Sequence, residues 1–131
     1  MPSISTDFAS NHADTKALLT AFLADITAIR ASLAGILTGS ATWDAASIAD
    51  GDMESKDITV TGAVLGDFVM VSLSIDNADL TLTGTVTAAN TVTATLANNT
   101  GGAVDLASCT VRAVVLSKTT FVAPAALTVT A

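Results

Sequence analysis

The clearest hydrophobic pattern lies between residues 14 and 38. Leu19, Phe22, Ile26, Ile29, Leu33 and Ile36 recur at alternating spacings of three and four. That spacing predicts one amphipathic helix with a heptad seam: Leu19, Ile26 and Leu33 at a, Phe22, Ile29 and Ile36 at d. Asn11 or Asp14 is placed to cap its start and Gly39 to end it, giving a helix over 14–39 behind a polar arm at 1–13. Parallel dimers favour β-branched residues at a and Leu at d, whereas two a positions here are Leu and two d positions are Ile. The expectation is therefore a bundle of three or four strands rather than two. Asp25 falls at g and Arg30 at the following e, the spacing of a g–e′ ion pair between parallel neighbours. Leu18, Leu23 and Leu37 widen the apolar stripe. The competing reading is a single amphipathic helix packed on its own domain.

From residue 40 to 117 the pattern changes to short alternating runs: "KDITVTG", "DLTLTGTVT", "NTVTATLAN" and "CTVRAVVLS". Gly84 reads as a bulge or bend. "DFVMVSLSI" is more continuously apolar and reads as a central strand. The segments "VLGD", "DNAD", "AAN" and "NNTGGAVD" are turn chemistry. Five or six strands at about 8–12-residue spacing predict a mainly β fold, a small β-sandwich or barrel preceded by one coiled-coil-like helix. The tail at 118–131, "KTTFVAPAALTVTA", is apolar and contains Pro124. Its "ALTVT" run either adds a strand to an edge or completes the domain's own sheet.

Composition narrows the functions. Half the residues are hydrophobic but only 4% are aromatic, with no Tyr and one Trp. Aromatic anchors for sugars or bases are therefore scarce. The net charge is -7, and the five basic residues are scattered singly. Such a surface cannot neutralise a run of phosphates, so nucleic-acid binding is not expected. Acidity serves solubility or a basic partner surface. Residues 1–12 lack the basic and apolar regions of a signal peptide, and Asp25 and Arg30 interrupt the longest apolar segment, so no membrane span is expected. Cys109 is the only cysteine and reads as a buried core thiol.

Candidate chemistry is sparse. His12 is the only histidine, and no G-x-S-x-G, P-loop or Cys/His metal spacing is present. The acidic stretch "ASIADGDMES" sets Asp50, Asp52 and Glu54 around Gly51. Read as an EF-hand it fails at position 6, Ser55, and at position 12, Gly62. It reads as a solvated turn leading into the strand at Ile58. No enzyme activity, cofactor or metal is expected.

Three blocks carry a resemblance. "ATWDAASIADG" at 41–51, "GAVLGDFV" at 62–69 and "NNTGGAVDLASCT" at 98–110 recur in the order seen in a β-domain of tailed-phage virion proteins, which residues 40–117 resemble. Ala45 stands where that domain usually has Pro, and Cys109 where it usually has Gly. The resemblance implies a structural virion protein: a decoration or cement protein on the head surface, made in the host cytoplasm. Its implied partner is an HK97-like major capsid protein, and its implied state a homotrimer. A trimeric head- or tail-fibre or receptor-binding module is the alternative. The residues expected to carry oligomerisation are Leu19, Phe22, Ile26, Ile29, Arg30, Leu33 and Ile36.

Overall fold

The computed structural model describes residues 4–119, with side chains from residue 11 onward. One helix, α1 (Ile4–Leu33), is followed by six strands: β1 (Ile36–Trp43), β2 (Met53–Thr59), β3 (Phe68–Leu73), β4 (Thr81–Ala88), β5 (Thr91–Ala97) and β6 (Cys109–Leu116). The strands form two antiparallel three-stranded sheets, ordered β1-β6-β3 and β2-β5-β4. This is the mainly β, sandwich-like architecture expected from the alternating runs.

The helix differs from its sequence reading at both ends. It begins at Ile4, inside the stretch read as a polar arm, and Asn11 and Asp14 lie within it rather than capping it. Ser and Thr do not break the helix, because their hydroxyls turn back onto it. Thr15 Oγ1 donates to the Asn11 carbonyl, Thr20 to Lys16, Thr27 to Leu23 and Ser32 to Ala28. The helix ends at Leu33, before the last predicted seam position. Ile36 opens β1, and Gly39 lies inside that strand. In "ILTGSATW" the alternation of Leu37, Gly39, Ala41 and Trp43 wins over the helical period. Those four line the domain interior, where Trp43 is buried. The β-domain therefore starts at residue 36, not 40.

The core lies between the sheets. Val111, Ala113 and Val115 of β6 face Val92, Ala94 and Leu96 of β5, and all six are essentially sealed from solvent. These two central strands are buried on alternate residues, and Ile58, Val60, Leu80 and Val86 complete the interior. Cys109 lies buried at the start of β6. Two glycines bring the sheets close. A Cβ on Gly39 would collide with the Thr59 carbonyl, and one on Gly84 would sit 2.5 Å from Val71 Cγ1. Gly84 is thus a contact point rather than the expected bulge. The register shift of β4 lies between Val86 and Ala88.

The "DFVMVSLSI" run forms β3, an edge strand, while β6 takes the centre of its sheet. The run is continuously apolar because Phe68 and Met70 face outward while Val69, Val71 and Leu73 face the core. Continuous apolarity here reports a second apolar face, not a central position.

Candidate functional site

The acidic stretch is part of the scaffold. Asp50 Oδ1 accepts the Gly101 backbone N–H at 3.0 Å. The Asp52 carbonyl accepts the Asn98 N–H, and the Asn98 carbonyl accepts the Gly51 N–H. Glu54 Oε1 takes the Trp43 indole N–H at 3.4 Å, and Asp57 Oδ1 takes the Thr93 hydroxyl at 2.7 Å. The strand begins at Met53, so the last three residues of "ASIADGDMES" are strand rather than turn. The carboxylates diverge to separate donors. Among the described residues no group of three or more His, Cys, Asp or Glu could hold a metal ion.

The same geometry explains the three sequence blocks. The first and third are stapled to each other by Asn98, which is fully buried. Its Nδ2 donates to the Ile48 and Gly102 carbonyls at 2.7 and 2.8 Å. Its Oδ1 accepts from the backbone and hydroxyl of Thr100. An isolated antiparallel bridge between Ile48 and Val104 runs alongside.

The second block fastens the exit of β6. Asp67 accepts the N–H groups of Val64 and Lys118, both at 3.0 Å, and Lys118 Nζ donates to the Leu65 carbonyl. These contacts hold the Asp67 carboxyl below the usual carboxylate range. The Lys118 N–H contributes most, then the Val64 N–H, while desolvation opposes them. Gly66, at φ +94°, gives the turn a conformation that L side chains rarely adopt. The blocks that carry the resemblance are thus loop staples that hold the sheets.

The helix is the part left uncovered. Leu18, Leu19, Phe22, Leu23, Ile29 and Leu33 are each about half exposed or more, and Ile26 is 37% exposed. No strand packs along α1. The reading of a helix packed on its own β-domain does not describe this structure. Leu19, Phe22, Ile26, Ile29 and Leu33 remain on one stripe, with Asp25 and Arg30 beside it. Ile36 leaves that stripe for the sheet. Because the helix starts at Ile4, the seam also runs further back than the sequence suggested. His12 falls at a and Thr15 at d of the same heptad register, and both are polar. The early "FASNH" segment hid this, since its few apolar residues carry little period.

A second apolar surface lies on the outside of the β1-β6-β3 sheet. The register sets Ile36, Leu116 and Phe68 in one cross-strand row and Thr38, Val114 and Met70 in the next. Phe68 and Met70 are about two-thirds exposed. The outer face of the other sheet is different: Thr81, Thr83, Thr85, Thr91, Thr93 and Thr95 dominate it.

No helix among the described residues is long and apolar enough to cross a membrane. The tail run "ALTVT" at 126–130, read either as an added edge strand or as part of the domain's own sheet, lies outside the described residues. Comparison with known proteins found no matching family model, no matching curated protein and no matching solved structure.

Proposed function

We propose that this chain is a structural virion protein, a trimeric decoration or cement protein that binds the outside of a phage head and stabilises it. The observation that carries the self-association is the apolar stripe of α1, uncovered over its described length beside a β-domain with its own sealed core. An amphipathic helix in water gains its stability from packing of its apolar face, and each Leu, Ile or Phe side chain fully withdrawn contributes about 1.5–3 kcal/mol. With Ile36 in β1, α1 keeps Leu19, Ile26 and Leu33 at a and Phe22 and Ile29 at d; Leu at two a positions and none at d favours more than two chains. The placement on a capsid rests on the three sequence blocks and their order.

In this reading three helices form a bundle and present three β-domains around it. The HK97-like major capsid protein is the partner, engaged by three identical weak sites at once. Linked sites raise avidity without any single strong contact, which suits a clamp across neighbouring capsid subunits. The activity is binding rather than chemistry, and neither cofactor nor nucleic acid takes part.

The test is the copy number of this chain per particle, by quantitative mass spectrometry of virions that carry it, together with release from emptied heads. A decoration protein is present in roughly the copy number of capsid trimers or hexamers. A handful of copies would assign the chain to a head or tail fibre instead.

A further inference from the structure

We infer that the outer face of the β1-β6-β3 sheet, at the end nearest the helix, is a second contact between copies of this chain. The inference rests on the self-association proposed above and adds a separate surface to it.

The argument starts at the junction. Only Ala34 and Gly35 separate the end of α1 from the start of β1. Three Cα steps of about 3.8 Å keep Ile36 within roughly 11 Å of Leu33, the last seam residue. The link is also fastened. The Ala34 N–H bonds to the Arg30 carbonyl, Gly35 is buried, and its carbonyl accepts the Ser117 N–H at 2.8 Å. The foot of the helix is therefore tied to the end of the central strand. Helices that pack through their seams lie about 8–10 Å apart. Three such feet bring three copies of the Ile36 row close to one axis.

The composition of the face follows this proximity. The row nearest the helix is wholly apolar, Ile36–Leu116–Phe68. The next row, Thr38–Val114–Met70, is mostly apolar. The third, Ser40–Arg112–Ser72, is polar and charged, and Thr42–Thr110 follows it. Apolarity thus fades with distance from the helix foot. A surface made for an unrelated partner has no reason to be graded toward the seam, whereas one continuous with the bundle does. The outer face of the β2-β5-β4 sheet has one partly apolar row, Met53–Ala97–Thr81, and is otherwise Ser, Thr and Asp in the rows Ser55–Thr95–Thr83 and Asp57–Thr93–Thr85. The occupant that fits is the same face of a second copy, continuing the apolar stripe from Leu33 onto the sheet.

The test is light scattering across a dilution series on the full chain and on Phe68→Glu/Met70→Lys. Both side chains point outward, so the fold should survive, with circular dichroism as the check. We expect the wild-type chain to be an oligomer and the double variant to dissociate at concentrations at least tenfold higher. As a second reading, Met70→Cys should form disulfide-linked pairs under mild oxidation, and Thr83→Cys, on the other sheet, should not. Unchanged dissociation together with no Met70→Cys pairs would overturn the inference. So would a double variant that assembles normally but no longer binds capsids, which would assign the face to the capsid. A monomeric wild-type chain would overturn the helix reading itself, an outcome distinct from both.

Discussion

The side-chain amide of Asn98 donates to the Ile48 carbonyl at 2.7 Å across 50 residues of sequence, and neither residue is solvent-exposed. That bond ties the loop after β1 to the loop after β5. Truncating Asn98 removes its bonds to the Ile48 and Gly102 carbonyls and to the N–H and hydroxyl of Thr100 at once, although the Ile48 carbonyl keeps the Val104 N–H and the Gly102 carbonyl keeps the Thr100 hydroxyl. Each such hydrogen bond contributes about 0.5–1.5 kcal/mol net. Asn98→Ala should therefore destabilise the β-domain by roughly 3 kcal/mol, read as a lower urea midpoint at unchanged slope. A shift below about 0.5 kcal/mol would mean that water replaces the amide without loss.

Asp67 sets an acid limb of stability. Its folded-state pKa is lowered, through the N–H groups of Lys118 and Val64. A depressed carboxylate pKa contributes stability that is complete above the unfolded-state value and is lost as pH falls through the folded one. The melting temperature of the wild-type chain should thus fall as pH drops below the usual carboxylate range. Asp67→Asn keeps the size but cannot accept both N–H groups as an anion. It should lower stability near neutral pH and flatten the acid limb, as melting curves from pH 7 to pH 2 would show.

The glycines rank by what a methyl group would meet. Gly39→Ala drives Cβ into the Thr59 backbone, which cannot rotate away, and should cost about 3 kcal/mol. Gly84→Ala meets the stiff side chains of Val71 and Val69 and should cost about 1–2 kcal/mol. Gly102→Ala meets nothing within 4 Å and should be close to neutral. Thermal denaturation of the three variants checks the order.

Chelation should change nothing. The carboxylates of Asp50, Glu54 and Asp57 are each bonded to a protein donor. Excess EDTA should leave the melting temperature and the oligomer mass unchanged. A chelator-dependent loss of either would identify a cation site in the acidic stretch.

The strands were legible in the sequence where one face is apolar and the other is Thr or Ser. "NTVTATLAN" became β5 with Val92, Ala94 and Leu96 inward, as its alternation indicates. Three features were not legible, each for a physical reason. Ile36 fits a heptad d position and an outward strand position equally well, since one residue carries no period. Its place is decided by Leu37, Gly39, Ala41 and Trp43 after it. β3 looked central because both its faces are apolar, and apolarity does not distinguish a covered face from an uncovered one. Asn98 carries no signal in the sequence, because a buried amide bridging two loops leaves no trace in local spacing. The "NNTGG" turn marks where the chain bends, not what its side chain holds.

The apolar stripe proposed to carry oligomerisation was legible in the sequence, but not its extent. Five of the six apolar seam positions, Leu19, Phe22, Ile26, Ile29 and Leu33, lie on α1 with their side chains uncovered, and Arg30 lies beside them in the last turn. Charge at the centre of that stripe should be disruptive, because a buried unpaired carboxylate is far more costly than an exposed one. Ile26→Asp should shift the chain toward monomer at concentrations where the wild type is assembled, while the β-sheet circular dichroism persists.

The most direct measurement is the mass of the full chain in solution by light scattering at micromolar concentration. The account predicts three times the 13.1 kDa chain mass. A monomer that persists on concentration would contradict it, leaving the apolar stripe of α1 to a different protein.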